Sequence, residues 1–178
     1  MGTADDYLQV SIWLLPEQSN LVLLSAHMKV LAEKFKAPIF EPHLTLYSTK
    51  VLAKNLTIVK ENLKTRVKDF AGLTLIVLGV GQNQALFKTL FLQLQNSKQL
   101  NGLYGVVKTI LGKYGNYEID PHLSLLYKEG LNEDQKSSSV KDIKFPEEIK
   151  FDKVAIKVSG HNDNFGKDIS KWTYEVLD

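Results

Sequence analysis

The sequence predicts an α+β fold of two antiparallel-sheet lobes with outer helices, related by duplication and facing each other across a central cleft. Three observations carry this expectation. Segments of strand period and helix period alternate along the 178 residues. The order strand, helix, histidine-bearing strand, helix, strand occurs twice. The two halves are also evenly spaced, with 33 residues from Val10 to His43 and 33 from Thr89 to His122. A chain of this length fits one domain, here a single bilobed unit over residues 1–178.

Tyr7 to Leu15 is an apolar, β-rich run closed by Pro16 and reads as a buried strand. Leu21, Leu24, Met28, Leu31 and Phe35 recur at steps of three and four, which predicts an amphipathic helix ending before Pro38. A short strand, His43 to Tyr47, follows. The next helix carries Leu56, Val59, Leu63, Val67 and Phe70 on one stripe and stops at Gly72; Leu73 to Val80 is then an apolar strand. Gly79 to Asn83 reads as a turn, after which the order restarts. Ala85 to Leu94 is a strand with Leu90, Leu92 and Leu94 on one face. Leu100, Leu103, Val107 and Ile110 mark a helix, His122 to Tyr127 a strand, and Asn132 to Asp142 a polar helix. Phe151 to Val158 alternates Val154, Ile156 and Val158 inward against charged lysines. Lys171 to Val176 closes the chain with Trp172, Tyr174 and Val176 on one face.

Composition narrows the function. Twenty-two basic and 20 acidic residues leave a net charge of +2, short of a dedicated nucleic-acid surface. Cysteine is absent, which excludes disulfides, thiolate metal sites and cysteine nucleophiles. No apolar run reaches the length of a membrane span, and the acidic start, Met1 to Asp6, lacks a basic targeting signature. These features lead us to expect a cytoplasmic, monomeric protein with no membrane partner and no stable nucleic-acid complex.

Two segments carry chemistry: Glu41-Pro42-His43-Leu44-Thr45-Leu46-Tyr47 and Asp120-Pro121-His122-Leu123-Ser124-Leu125-Leu126-Tyr127. Strand side chains alternate faces, so His43 shares a face with Thr45 and His122 with Ser124. Tyr47 falls on the His43 face by the same alternation. One histidine beside a hydroxyl is usually a surface or core residue; the same pair at matched places in a repeat is not. Imidazole titrates near neutrality, so one ring can take a proton from water while the other gives one to a leaving oxygen. The Thr45 and Ser124 hydroxyls can donate to phosphate oxygens as charge gathers in the transition state. Such a site needs no metal, cofactor or covalent nucleophile. Neither segment has the HExxH pattern of a zinc site. Glu41 and Asp120 lie an even number of residues from the histidines, but the prolines between leave their orientation open. Trp13 and Trp172, each expected on a strand bordering the cleft, are candidates to stack on a base. His27 lies on a helical stripe and reads as structural, and His161 lies in a turn-rich loop.

Two His-x-Thr/Ser motifs about eighty residues apart resemble the two-histidine (2H) phosphoesterase superfamily, and within it the plant-type cyclic phosphodiesterases. The likeness runs through Val10 to Pro16, Phe40 to Thr45, Leu90 to Gln95 and Pro121 to Tyr127, and Trp172 falls where that family also carries tryptophan. It implies that His43 and His122 are the catalytic pair, that Thr45 and Ser124 bind phosphate, and that Tyr127 stands at the rim of the site. It also implies hydrolysis of ADP-ribose 1″,2″-cyclic phosphate and nucleoside 2′,3′-cyclic phosphates to the 1″- or 2′-phosphate without a cofactor. The plant enzymes carry cysteines, some disulfide-bonded near the cleft, so redox control of a cleft loop does not transfer to this chain. Two alternatives stay open: an RNA-end or 2′,5′-oligoadenylate phosphodiesterase of the same superfamily, and a non-catalytic nucleotide-binding module.

Overall fold

Strand pairing, not chain order, defines the two lobes. The computed structural model describes residues 6–178. In chain order it contains β1 (Tyr7–Pro16), α1 (Gln18–Phe35), β2 (Leu44–Leu52), α2 (Leu56–Val67), β3 (Leu73–Gln82) and β4 (Leu90–Leu94). These are followed by α3 (Lys98–Leu111), β5 (His122–Leu126), α4 (Glu133–Val140), β6 (Glu148–Ser159) and β7 (Tyr174–Val176). The central strand of one lobe, β1, lies between β2 and β6; that of the other, β4, lies between β5 and β3. The third strand of each sequence half is therefore exchanged into the opposite lobe. Antiparallel contacts β2–β5 and β3–β6 join the lobes and close six strands into a ring, with β7 outside on β6.

The residues dictate these elements locally. On β1, Val10, Ile12 and Leu14 are fully buried while Gln9, Ser11 and Trp13 take the other face. On α1, Leu24, Met28 and Leu31 are buried. That helix ends at Lys36, in the left-handed region at φ 51°, whose N–H returns to the Ala32 and Glu33 carbonyls. Ser97 caps α3 by accepting from the Leu100 N–H at 3.1 Å. Asn132 and Gln135 form a reciprocal capping box on α4. Helix α4 also buries Lys136, whose Nζ donates to the Asn83 carbonyl at 2.8 Å. Helices α1 and α3 each pack on the histidine-bearing strand of the other half, β5 and β2 respectively. One apolar cluster runs through both lobes. No helix among the described residues is long and apolar enough to cross a membrane.

Matching bulges set the phase of the two motif strands. Trp13 pairs with Thr45 but Ile12 with Tyr47, so Leu46 is an extra residue in β2. Likewise Phe91 pairs with Ser124 but Leu90 with Leu126, leaving Leu125 extra in β5. Both leucines are buried. After each bulge the alternation inverts. Tyr47 therefore does not share the His43 face: it is fully buried and its hydroxyl donates to the Gly115 carbonyl at 2.7 Å. Ser48 takes the open face instead. The ladders also make Trp13 the counterpart of Phe91, so the repeat is offset by one residue from the even spacing of Val10 and Thr89.

Other boundaries shift for similar reasons. Gly79 to Gln82 is not a turn but the second half of β3, paired with β4 after a register shift at Val77/Gly79. Gly81 lies opposite Phe91, whose ring would be 2.4 Å from an added Cβ. Strand β4 starts at Leu90 because Leu86 to Lys88 form a 3₁₀ turn. Trp172 is not on a strand; it follows a 3₁₀ turn at Ile169–Lys171, and β7 begins at Tyr174.

Leu44 and Leu123 are paired, fully buried and sit where the lobes meet. Truncating either to alanine is expected to cost about 3 kcal/mol in urea denaturation; a loss within error of zero would mean that this junction does not hold the lobes.

Candidate active site

The motif strands meet antiparallel at Leu44 and Leu123. Continuing that register by one residue each way sets His43 opposite Ser124 and Thr45 opposite His122. The four polar side chains share one cleft of about 490 Å³, with Trp13, Tyr127, Trp172, Phe87, Lys88 and Lys157 among its other walls.

Both histidines are fixed the same way. Nδ1 of His43 lies 2.6 Å from the Glu41 carbonyl oxygen, and Nδ1 of His122 lies 2.7 Å from that of Asp120. A carbonyl can only accept, so Nδ1 carries the proton in each ring. In the neutral rings Nε2 then holds a free lone pair on the cleft side. The intervening prolines, with φ fixed, lock the bend that brings each carbonyl to its ring. The acidic residues before the prolines thus act through their backbone. The Asp120 carboxylate accepts from Lys88 and from Gln93 Nε2.

An aromatic residue supports each imidazole from the neighbouring central strand, diagonally across the ladder. Trp13 stacks on His43 with ring centroids 3.8 Å apart at 17°. Phe91 meets His122 edge-on at 5.6 Å and 73°. The glycine at position 81 leaves room for that Phe91 ring.

The pseudo-symmetry is broken electrostatically. His43 is 5 % exposed, and its pKa falls from the usual histidine range to about 4. Burial is the main cause, reinforced by the positive charges of His122 and Lys157. His122 is lowered as well, by burial first and then by Lys88, but its side chain keeps 18 % exposure and its Nδ1 lies 3.8 Å from Asp120 Oδ2. Lys157 is 4 % exposed, hydrogen-bonds Ser159, pairs with Asp163 at 3.5 Å and lies 4.6 Å from the Trp172 ring centre. Burial lowers its pKa while Asp163 opposes the shift.

The hydroxyls also differ. Ser124 Oγ donates to the Phe87 carbonyl at 3.0 Å, whereas the Thr45 hydroxyl has no protein partner among the described residues. Tyr127 lines the cleft from within its wall, buried and stacked on Phe40 with ring centroids 3.8 Å apart. Trp13 borders the cleft, but His43 covers one of its faces. Trp172 lines the cleft half-buried, its Nε1 donating to the Gly166 carbonyl at 3.0 Å.

Sequence reasoning missed Phe91, Lys88 and Lys157. Alternation along Phe151 to Val158 places Lys157 with the charged lysines opposite Val154, Ile156 and Val158. The signal was its small neighbours on the same face, Ala155 and Ser159, which show that this face is covered too. His27 lies outside the cleft, edge-on to Phe145 at 5.4 Å. Among the described residues, no group of three or more His, Asp or Glu side chains is arranged to hold a metal ion.

The buried His43 gives stability a pH dependence. The unfolded chain protonates this ring near ~6.5, the folded one near 4. The unfolded state binds more protons between those values, so stability is lost as pH falls through them. Between pH 7 and pH 5 the wild type is expected to lose about 2 kcal/mol more than His43→Gln in urea denaturation. Parallel losses would show that His43 is not buried neutral.

The comparisons with known proteins come to the same fold. The chain is similar to E. coli LigT in its apo form, at 15% identity, over 97% of this chain and 95% of that one, with a TM-score of 0.62. It is also similar to E. coli LigT complexed with 3′-AMP, at 14% identity over 97% and 96%, TM-score 0.60. Kluyveromyces marxianus Usb1 is similar at 12% identity over 97% and 98%, TM-score 0.51. No curated protein sequence matches the chain. The model of the cyclic phosphodiesterase-like protein family matches residues 8–170. With nearly its whole length matched, the chain belongs to the cyclic phosphodiesterase-like family of the 2H phosphoesterase superfamily.

Proposed function

We propose that this protein hydrolyses cyclic phosphates on ribose, namely ADP-ribose 1″,2″-cyclic phosphate and nucleoside 2′,3′-cyclic phosphates, by metal-independent acid/base catalysis between His43 and His122. One observation carries the reading: each lobe contributes one imidazole, with Nδ1 tied to its own backbone, and both rings line one cleft together with the Thr45 and Ser124 hydroxyls. Family membership and the phosphate and 3′-AMP complexes of E. coli LigT support a phosphoryl ligand there.

The asymmetry of burial supports unequal roles. His43, held neutral, is the base: its Nε2 takes a proton from water as the water oxygen bonds to phosphorus. His122, more open and closer to a carboxylate, is the acid: its Nε2–H protonates the ring oxygen as the P–O bond breaks. The product is a phosphomonoester, and proton exchange with solvent resets the two rings. Thr45 is free to donate to a non-bridging oxygen. Ser124 must turn its hydroxyl from the Phe87 carbonyl to do the same. Those donors matter most as charge develops on the phosphoryl oxygens.

The expected outcome is turnover of 2′,3′-cyclic AMP in excess EDTA, reduced at least 1000-fold by His43→Ala or His122→Ala, on the order of acid/base contributions elsewhere. Metal dependence, or normal turnover by either folded variant, would sink the assignment. A nitrophenyl phosphodiester, whose leaving group needs no proton, should rescue His122→Ala but not His43→Ala; the reverse pattern exchanges the roles.

The pH profile follows from the same groups. The rate rises as the base loses its proton near 4 and falls as the acid loses its own below the usual histidine value. For the free enzyme kcat/KM should therefore peak in weakly acidic solution. A peak above neutrality would contradict this pairing of roles.

A further inference from the structure

The cleft does not end at the histidines. A second cavity of about 650 Å³ opens beside it and shares Gln9 and Phe165 as walls; Tyr7, Lys50 and Lys167 line its far part. Strand register converts this adjacency into distance. On β1, Trp13, Ser11, Gln9 and Tyr7 point to one face, above the buried Val10, Ile12 and Leu14. Across the sheet Thr45 sits beside Trp13, Lys157 and Ser48 flank Ser11, and Ser159 and Lys50 flank Gln9. Each two-residue step covers about 6.5 Å. Relative to the Trp13–Thr45 row, the Lys157 row thus lies about 7 Å away, the Lys50 row about 13 Å and Tyr7 about 20 Å.

The chemistry changes along that line. Next to the catalytic row come polar groups and the buried cation Lys157. Lys50 and Lys167 follow, both exposed, with no carboxylate partner among the described residues. Among the described residues, no acidic side chain lines this second cavity. At its mouth two rings stay open, Tyr7 at 39% and Phe165 at 37% exposure. Phe165 is held there by a backbone that a bulky side chain rarely adopts, at φ 55°. The segment is fixed by Asp163, whose carboxylate accepts from the Gly160 and Gly166 N–H groups at 3.0 and 3.2 Å while pairing with Lys157. One carboxylate therefore ties the loop bearing Phe165 and Lys167 to the lysine of the catalytic cleft.

Lys50, Lys167 and Tyr7 lie beyond the walls of the histidine cleft and line only the second cavity. We propose that the second cavity is a subsite for a phosphate-linked nucleoside attached to the ribose whose cyclic phosphate is cleaved. Lys50 and Lys167 hold the linking phosphate, and Tyr7 and Phe165 flank the distal base. The proposal rests on the hydrolysis argued above. Such an arm can be the ADP portion of ADP-ribose or the preceding nucleotide of a short RNA end.

Steady-state kinetics on three substrates test it: 2′,3′-cyclic AMP, ADP-ribose 1″,2″-cyclic phosphate and a dinucleotide ending in a 2′,3′-cyclic phosphate. The wild type is expected to favour an extended substrate at least tenfold in kcat/KM. In the double variant Lys50→Met, Lys167→Met that preference should shrink about tenfold through KM, with kcat on the extended substrate within about twofold; each tenfold step reflects a charge-assisted contact. Preference for one extended substrate identifies the source of the arm, and equal preference means that only the linking phosphate is read. Equal kcat/KM for short and extended substrates in the wild type, or an unchanged preference in the variant, overturns the subsite. If no substrate turns over, the hydrolytic reading fails, and calorimetric binding of ADP-ribose decides the subsite alone. Affinity about tenfold weaker in the double variant supports it, and equal affinity overturns it.

Discussion

The geometry of this protein depends on one antiparallel junction, Leu44 against Leu123, where the histidine strands of the two lobes meet. Antiparallel pairing at that point crosses the two motifs, so each histidine is set against the hydroxyl residue of the other lobe. The junction is only one pair long and needs support from outside itself. Helices α1 and α3 supply that support by packing on the opposite half's histidine strand. A third layer comes from the exchanged strands β3 and β6, which pair with each other and close the ring. Separating the lobes would expose both histidine strands and break the apolar cluster that spans them. Burial of that shared surface is what keeps two loosely paired strands in fixed register.

Duplicated backbones do not make duplicated electrostatics. Both imidazoles have the same tautomer, set by the same i−2 carbonyl, and both lean on an aromatic ring from the central strand. Trp13 covers His43 face-on, whereas Phe91 touches His122 only by its edge. That difference in cover leaves one ring drier than the other. Lys157 on one side and the Lys88–Asp120 pair on the other extend the asymmetry. A symmetric scaffold thereby holds two chemically unequal groups, which a directional proton transfer requires.

Much of this was legible in the chain. Apolar periodicity located the helices and most strands, because each element buries one face and the pattern records which. The His-x-Thr/Ser pairs could be assigned to a shared face because strand alternation holds across three residues. Alternation failed at Tyr47, two residues past the first motif, where the extra Leu46 inverted the phase. Nothing in Leu44-Thr45-Leu46-Tyr47 marks one residue as unpaired, since a bulge is defined by the partner strand. The Gly79–Gly81 segment reads as a turn in sequence but is strand, for a related reason. Glycine there serves a neighbouring ring, Phe91, which only the β3–β4 ladder brings over it.

The sequence by itself determined the polar pairs, the fact that they recur and the residues able to move a proton. Those are properties of local composition and of a two-residue period. The tertiary structure decided which residues complete the cleft. Lys157 became part of it only when β6 was exchanged into the first lobe and laid beside Ser11. It decided how far each histidine is buried, and with that how the two differ. It also decided that the cleft continues along β1 toward Tyr7, because the strands that wall it lie far apart in the chain. Contacts of that kind depend on register between distant segments, which no local pattern encodes.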